Sequence, residues 1–382
     1  MIPYGKQDIR SGDVETVLDV LNSDFLTQGP MVPRFEKAIS EVGGAKYATA
    51  VNSATSALHI ACLALDLRPG DSLWTVPNTF VASANCALYC GANVDFVDID
   101  PKTSNMSVEL LESKLMASKK SGLLPKIVIP VHLTGEPCDM AAIKRLSNKY
   151  GFKIIEDASH AIGGKYHDKP VGSCEYSDIT VFSFHPVKIV TTGEGGAALT
   201  NSAELDQKLK LLRSHGITRD QKFMCNINEA GWYYEQIALG FNYRMTDIHA
   251  ALGLSQLSRL EEYINKRHDI ANIYDAQFEQ TRIQKPYRNP NNKSALHLYV
   301  VQVDPQKHNY VFHSLRKENI GVNLHYIPIH TQPYYQNLGF SWGDFPNSEA
   351  YYKKAISLPI YPKLSKDELN SVIDAVKMYN DD

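Results

Sequence analysis

Cysteine is scarce and scattered in this 382-residue chain: Cys62, Cys86, Cys90, Cys138, Cys174 and Cys225, with no CxxC pair. That spacing provides neither a zinc-ligand set nor a disulfide framework, so no metal site is expected. Cys86 and Cys90, in an apolar setting, read as small core residues. An excess of one charge is also missing, since 39 basic and 42 acidic residues leave a formal −3. The balance gives no electrostatic case for nucleic acid or an anionic membrane. No apolar run approaches the ~20 residues of a membrane span. Residues 1–12 lack the apolar core of a secretion signal. Unpaired thiols and no export signal predict a cytoplasmic protein. Repeats and low-complexity tracts are absent too. What is present is ordinary for a soluble globular chain, 43% hydrophobic and 21% charged. The length suits two domains.

From about residue 45, helix and strand patterns alternate. Residues 53–65 carry helical apolar spacing, 71–76 read as a strand ended by Pro77, and 80–89 return to helix. Residues 94–97 form a short strand, 106–116 a helix, 126–131 a buried strand, 140–150 a helix and 153–156 a strand. Short apolar strands separated by helices predict a mostly parallel sheet covered on both faces, an α/β fold. After Gly196 come a strand over 197–200 and a helix over 203–212. Few breakers interrupt residues 247 to about 278, which predict one long linking helix. The expected division is a large domain, 1–246, and a linking helix with a smaller α+β domain, 247–382. In the latter we expect a strand at 296–303, a helix at 310–317, and helices near 349–356 and 366–378. The aromatic, glycine-containing loop 332–345 suits either a pocket edge or a surface turn.

In such sheets, functional groups collect beyond the carboxyl ends of the strands. Asp157 follows the apolar pair Ile154–Ile155, and Ser183 follows the apolar run 179–182. Lys188 lies just beyond, leading into Thr191-Thr192-Gly193. A carboxylate, a serine and a lysine so placed are what a pyridoxal phosphate site requires. The lysine attaches the cofactor aldehyde as a Schiff base. The aspartate keeps the pyridine nitrogen protonated, and the serine hydroxyl holds the phosphate. Taken alone, Lys188 would be a solvated charge and Asp157 a turn cap. Together they support each other, because a buried carboxylate needs a positive partner and a pyridinium is one. His160 is either a neighbour of the ring or a satisfied core histidine. Residues 52–58, Asn-Ser-Ala-Thr-Ser-Ala-Leu, read as a phosphate cradle at a helix start or as an ordinary cap. Phe80 either stacks on the cofactor ring or packs in the core. The GxGxxA match at residues 193–198 precedes a β-like run instead of opening a helix, so it reads as a tight turn and not as a dinucleotide site.

On these residues the chain resembles the DegT/DnrJ family of pyridoxal phosphate sugar aminotransferases over nearly its whole length. The resemblance rests on residues 26–30 (LTQGP), 52–58, 77–80 (PNTF), 156–160 (EDASH), 183–196, 240–245 (GFNYRM) and 324–326 (LHY). It implies the pyridoxal phosphate transferase fold of the aspartate aminotransferase type (fold type I). Carried over, it implies Lys188 as the catalytic Schiff-base lysine, Asp157 as partner of the pyridine nitrogen and Ser183 as phosphate ligand. Ala54 and Thr55 would contact the phosphate, Phe80 would stack, and His160 would lie near the ring hydroxyl. Asn242 would reach the phosphate of the neighbouring subunit's cofactor, which makes the working unit a homodimer with shared sites. Thr27, His185, His325 and Tyr326 would line the sugar site. L-Glutamate would be the amino donor.

The run Ser-Phe-His-Pro-Val-Lys with Thr-Thr-Gly-Glu-Gly-Gly is most similar to members that aminate C4 of UDP-2-acetamido-2,6-dideoxy-hexos-4-ulose for pseudaminic acid biosynthesis. Their product is UDP-4-amino-4,6-dideoxy-N-acetyl-altrosamine. The alternative is another nucleotide ketosugar: a UDP-4-keto-pentose, a UDP-bacillosamine precursor or a dTDP-3-ketosugar. Sugar dehydratases related to this family lack the lysine, and Lys188 is present. The last arginine is Arg316, so no C-terminal arginine fork is available to clamp an amino-acid acceptor, which favours a sugar.

Overall fold

The computed structural model describes residues 1–226 and 231–381. Its strands are β1 (Tyr47–Val51), β2 (Ser72–Thr75), β3 (Asn93–Phe96), β4 (Ile127–Val128), β5 (Lys153–Asp157), β6 (Lys165–Tyr166), β7 (Lys169–Pro170), β8 (Ile179–Ser183), β9 (Gly196–Thr200), β10 (Ile217–Thr218), β11 (Glu235–Gln236), β12 (Tyr299–Gln302) and β13 (Ala355–Leu358). Its α-helices are α1 (Ser11–Leu21), α2 (Met31–Gly43), α3 (Ala54–Ala64), α4 (Ala82–Tyr89), α5 (Val108–Ser121), α6 (Met140–Tyr150), α7 (Ala203–Arg213), α8 (Asp247–Leu257), α9 (Leu260–Gln277), α10 (His308–Lys317), α11 (Pro333–Gln336), α12 (Pro346–Tyr352) and α13 (Lys366–Asp381). No helix among the described residues is long and apolar enough to cross a membrane.

A seven-stranded sheet in the order β1-β9-β8-β5-β4-β2-β3 forms the centre. Pairs from β3 through β8 are parallel, while β9 is antiparallel to both β8 and β1. All strands but β9 therefore point the same way, and their carboxyl ends open on one edge. Side-chain alternation covers both faces. Ala198 of β9 joins the core beneath α3 to α6, while Ala197 and Leu199 join a second core with α2 and α8. Ser107 and Asp139 cap the starts of α5 and α6 through Leu110 N and Ala142 N, the sequence signal for helix starts beside the sheet.

The single linking helix expected over 247–278 is two helices. Ser258 and Arg259 separate α8 from α9, and Arg259 leaves helical geometry at φ −109° while its guanidinium donates to both oxygens of Asp13 at 2.7 Å. That half-buried ion pair sits at the bend and ties it to α1. The first half of α9 (Leu260, Tyr263, Ile264) packs in the second core, and its later residues Ile270, Ala271 and Tyr274, with Phe278 just beyond its end, pack in a third, with β12, β13, α10 and α13. We propose the domain boundary within α9, since α8 buries its apolar face with β1 and β9. The helix expected near 349–356 ends at Tyr352; residues 355–358 form β13, fully buried and antiparallel to β12. A short apolar run has no periodicity to separate the two outcomes.

Loop 332–345 packs on the sheet: its residues Tyr335, Phe340 and Phe345 lie against Phe96 at ring distances of 5.8, 5.0 and 5.7 Å. This docks the C-terminal unit on the sheet. The N-terminal strap is also tied to that unit, with Ile2 N donating to Asn319 O (2.8 Å) and Ile360 N to Tyr4 O (3.1 Å).

Candidate active site

At the shared carboxyl edge lies a cavity of about 450 Å³, within the size range of small-molecule sites. Nine of the residues singled out from sequence line it: Ala54, Thr55, Phe80, Asp157, His160, Ser183, His185, Lys188 and Tyr326.

One end is built to hold an anion. Ser53 caps α3 by accepting from Ser56 N (3.1 Å), and Ser56 Oγ donates to Asn52 Oδ1 (2.7 Å). The cap fixes the helix start, whose first amides, at Ala54 and Thr55, have no intrahelical acceptor. Ser183 ends β8 beside them. The close approach of β9 depends on Gly196, where an added Cβ would lie 2.5 Å from Ala54 N and 2.6 Å from Ser53 C. Gly196, at an x position of the GxGxxA match, therefore admits the helix start against the strand, and the run leads into β9 and not into a helix.

The other end holds the acid and the amine. Asp157 Oδ2 accepts from Ser83 Oγ (2.6 Å) and Oδ1 from Ser159 N (3.1 Å). Its neighbour Glu156 points to the opposite face, where it accepts from Ser177 (2.5 Å) and Thr180 (3.0 Å) and pairs with His132 (2.8 Å). Lys188 sits on the loop between β8 and β9, which Phe184 closes: its N–H donates to Gly195 O (2.9 Å) and its carbonyl accepts from Thr192 N (3.0 Å). Enclosure lowers the Lys188 amine to about 8, outweighing the nearby Asp157 charge, which acts in the other direction. His160 Nε2 meets the Tyr326 hydroxyl at 3.1 Å, and its ring lies 4.4 Å from that of His297. Burial, aided by Lys188, holds His160 well below the ordinary histidine range and so neutral. Burial also raises the Tyr326 phenol, reinforced by the Asp157 charge, so it keeps its proton. Phe80 is 57% exposed, which excludes the core-packing reading and leaves its ring free for a ligand.

An unpaired enclosed amine, a carboxylate with open lone pairs, and an anion cradle admitted by a glycine fit pyridoxal phosphate. The sequence matches the DegT/DnrJ/EryC1/StrS aminotransferase family over residues 7–377. The chain belongs to that family. It is 38% identical to the UDP-4-amino-4,6-dideoxy-N-acetyl-beta-L-altrosamine transaminase of Campylobacter jejuni, over 99% of both chains. Its structure superposes on Helicobacter pylori PseC, an aminotransferase of pseudaminic acid biosynthesis, with TM-score 0.91 and 32% identity, covering 100% of this chain and 99% of that one. It matches the candidate sugar aminotransferase Spr1654 of Streptococcus pneumoniae, solved in PMP and PLP forms, with TM-score 0.90 for both. The PMP form is 30% identical, with 100% of this chain and 99% of that one covered. The fold is accordingly the type I transferase fold, and the chain is a PseC-like sugar aminotransferase of nucleotide ketosugars.

Three expected site residues lie elsewhere in the aminotransferase. His325 is buried behind the cavity wall, its Nδ1 bonded to Ser357 Oγ (2.8 Å) and its ring 5.4 Å from that of Tyr4; burial takes it to about 3. It supports Tyr326 and does not line the cavity. Thr27 is exposed and bridges Thr246, and Asn242 is exposed and bridges Ser214. Both sit away from this chain's own cavity. Sequence reasoning missed several lining or supporting residues, among them Tyr4, Thr79, Ser83 and Glu194. Thr79 and Ser83 had a usable signal, an i, i+4 pair of hydroxyls flanking Phe80. Glu194 lies inside the motif and faces His185 at 3.9 Å. Nothing local marks Tyr4, which the strap delivers from the far end of the chain.

Proposed function

We propose that this protein uses pyridoxal phosphate to transfer the amino group of L-glutamate to C4 of a UDP-linked 6-deoxy-4-ketosugar of the 2-acetamido series, giving a UDP-4-amino sugar for pseudaminic acid biosynthesis. The observation that carries the reading is the Lys188 amine, lowered to about 8 within reach of the Asp157 charge, in one cavity with the α3 N-terminus and Ser183.

When bound, the cofactor supplies an aldehyde that takes and returns an amino group and a ring that accepts electron density. The chain supplies the rest. The Ala54 and Thr55 amides and the Ser183 hydroxyl hold the phosphate, and Asp157 pairs with the ring nitrogen. Phe80 covers one ring face. His160, kept neutral and held by Tyr326, serves the ring hydroxyl. Lys188 would attach the cofactor and would carry the proton at the reacting carbon, a task suited to an amine poised near 8. His185 and Tyr326 face the substrate at the cavity mouth.

Two observations support a homodimer with shared sites. Among the described residues lining the cavity there is no arginine, although the cofactor phosphate, the donor's carboxylates and a diphosphate all need cations. Thr27 and Asn242 lie on exposed backbone near Phe25 (52%), Leu26 (48%) and Leu239 (81%), an apolar surface suited to a second copy bringing Asn242 and Arg244. The Campylobacter relative's name supports the sugar assignment. All six cysteines are free, which supports the cytoplasmic assignment.

The test is the visible spectrum of dialysed protein. We expect the band of a lysine-bound cofactor, its loss on adding L-glutamate, and its return with the UDP-2-acetamido-6-deoxy-4-ketosugar. Return only with a pentose or a dTDP-3-ketosugar would overturn the sugar assignment. No band, even after added pyridoxal phosphate, would overturn the site.

A further inference from the structure

Strand β2 ends at Thr75 and α4 begins at Ala82. The turn between them presents Phe80 to the cavity and carries two buried hydroxyls. Thr79 is 3% exposed and Ser83 fully buried. Thr79 Oγ1 lies 3.0 Å from Ser83 Oγ, and Ser83 Oγ lies 2.6 Å from Asp157 Oδ2. A hydroxyl has one proton to give, and an ionised carboxylate only accepts. Ser83 therefore spends its proton on Asp157, and Thr79 must donate to Ser83. The chain of bonds has a direction, Thr79 to Ser83 to Asp157, and each bond polarises the next. The last is as short as a charge-assisted O–H···O⁻ bond. Ser159 N takes the other oxygen, so two donors hold the carboxylate in its plane while lone pairs remain for a ligand.

We propose that Thr79 and Ser83 are positioning residues that orient the Asp157 carboxylate toward the ring nitrogen, so that the proton shared between the two resides on that nitrogen. The proposal rests on the site reading above, in which Asp157 is that nitrogen's partner. Donors to a carboxylate stabilise its charged form. Removing them shifts the shared proton toward Asp157 and weakens the ring as an electron acceptor. No atom of Ser83 is needed at the substrate, so the loss should fall on turnover and not on sugar binding. The same turn is braced from the C-terminal unit, where Asn78 Oδ1 accepts from Tyr326 N (3.2 Å). Relay, stacking ring and the second wall of the cavity are thus set by one turn.

The test compares wild type with Ser83→Ala, Ser83→Cys, Thr79→Val, Asp157→Ala and the Ser83→Ala/Asp157→Ala double variant. Each is loaded with cofactor labelled with nitrogen-15 in the ring. In Ser83→Ala we expect the ring-nitrogen resonance to move toward the unprotonated position, kcat to fall about tenfold, and sugar KM to hold within about twofold, the effect of losing one hydrogen bond to a charged group. Ser83→Cys, a weaker donor, should fall between. Thr79→Val, which leaves the Ser83 bond in place, should lose about threefold and decides the matter if Ser83→Ala does not fold. In the Asp157→Ala background, Ser83→Ala should change nothing further. A wild-type resonance and kcat in Ser83→Ala would overturn the relay, as would an undiminished loss without Asp157. If wild-type protein shows no lysine-bound cofactor band, the site reading fails instead, whatever the serine variants do.

Discussion

The sharpest consequence of the cavity is the chemical state of Lys188 before any cofactor arrives. An ordinary lysine amine at 10.5 is only about 0.3% unprotonated at pH 8. Enclosure takes Lys188 to about 8, so about half of it is free amine at that pH, a gain of about 150-fold in nucleophile. The protein should be stripped of cofactor and labelled briefly with an acylating reagent between pH 6 and 11, with modification at Lys188 read by peptide mass spectrometry. The expected midpoint is near 8. The sign of the Asp157 contribution gives a second check. Its negative charge favours the protonated amine and so opposes the burial effect. Asp157→Asn removes that charge and should move the midpoint below 8. A midpoint near 10.5 in the wild type would refute the argument that enclosure sets the amine, and an upward move in Asp157→Asn would refute the assigned balance.

Two further outcomes follow from other parts of the site. Gly196→Ala places a Cβ 2.5 Å from Ala54 N and 2.7 Å from Ala54 Cα, contacts with backbone that no rotamer can relieve. It should cost about 2–3 kcal/mol in denaturant unfolding and loosen cofactor binding by at least about tenfold; a variant with wild-type cofactor affinity would show that the helix start is not the cradle. If Asn242 acts across a dimer, mixing inactive Lys188→Ala with Asn242→Ala protein allows one intact site in each mixed dimer. Random re-assortment should then restore about one quarter of wild-type activity, and activity no greater than the sum of the two parents would place Asn242 outside the partner's site.

Legibility in the sequence followed the range of the interaction that fixes each element. Ser53 is read as a cap because its acceptor role is satisfied three residues on. Asp157, Ser183 and Lys188 are read because apolar strands end where they begin, and strand ends are where such sheets expose side chains. The break at Ser258–Arg259 was hidden because its cause is Asp13, far away in the chain. The spacing predicts helix through Ile356, whereas Ala355–Leu358 is a strand whose pairing with β12 is not written in its own spacing. Ser83 illustrates the same limit at the site: its partner is a carboxylate on a strand two crossovers later. His325 misled for the opposite reason. Its neighbour Tyr326 faces the cavity, and adjacent side chains here point to different sides, so a motif of two residues contributes one wall group and one buried support.

The two walls of the cavity have different origins, and this explains why the reaction type is easier to infer than the sugar. Asp157, Ser183, Lys188 and the α3 cradle stand on the edge of one sheet, each fixed by backbone pairing or a cap within its own segment. Tyr4 and Tyr326 belong to the strap and the C-terminal unit, which is docked on the large domain by contacts such as Ile329 N to Pro77 O (2.9 Å), Tyr326 N to Asn78 Oδ1 (3.2 Å) and the Phe345 cluster on Phe96. The sheet edge fixes the amine, the acid and the anion site, which suffice for amino transfer to a ketone. We expect selection among ketosugars to fall to the wall formed by Tyr4 and Tyr326, to His185 and Glu194 at the mouth, and to what a second copy would bring near Thr27 and Asn242. Substitutions at Tyr4 or Tyr326 should therefore redistribute preference among UDP-ketosugars while leaving the glutamate half-reaction in place, whereas changes at Lys188 or Asp157 should affect every acceptor alike.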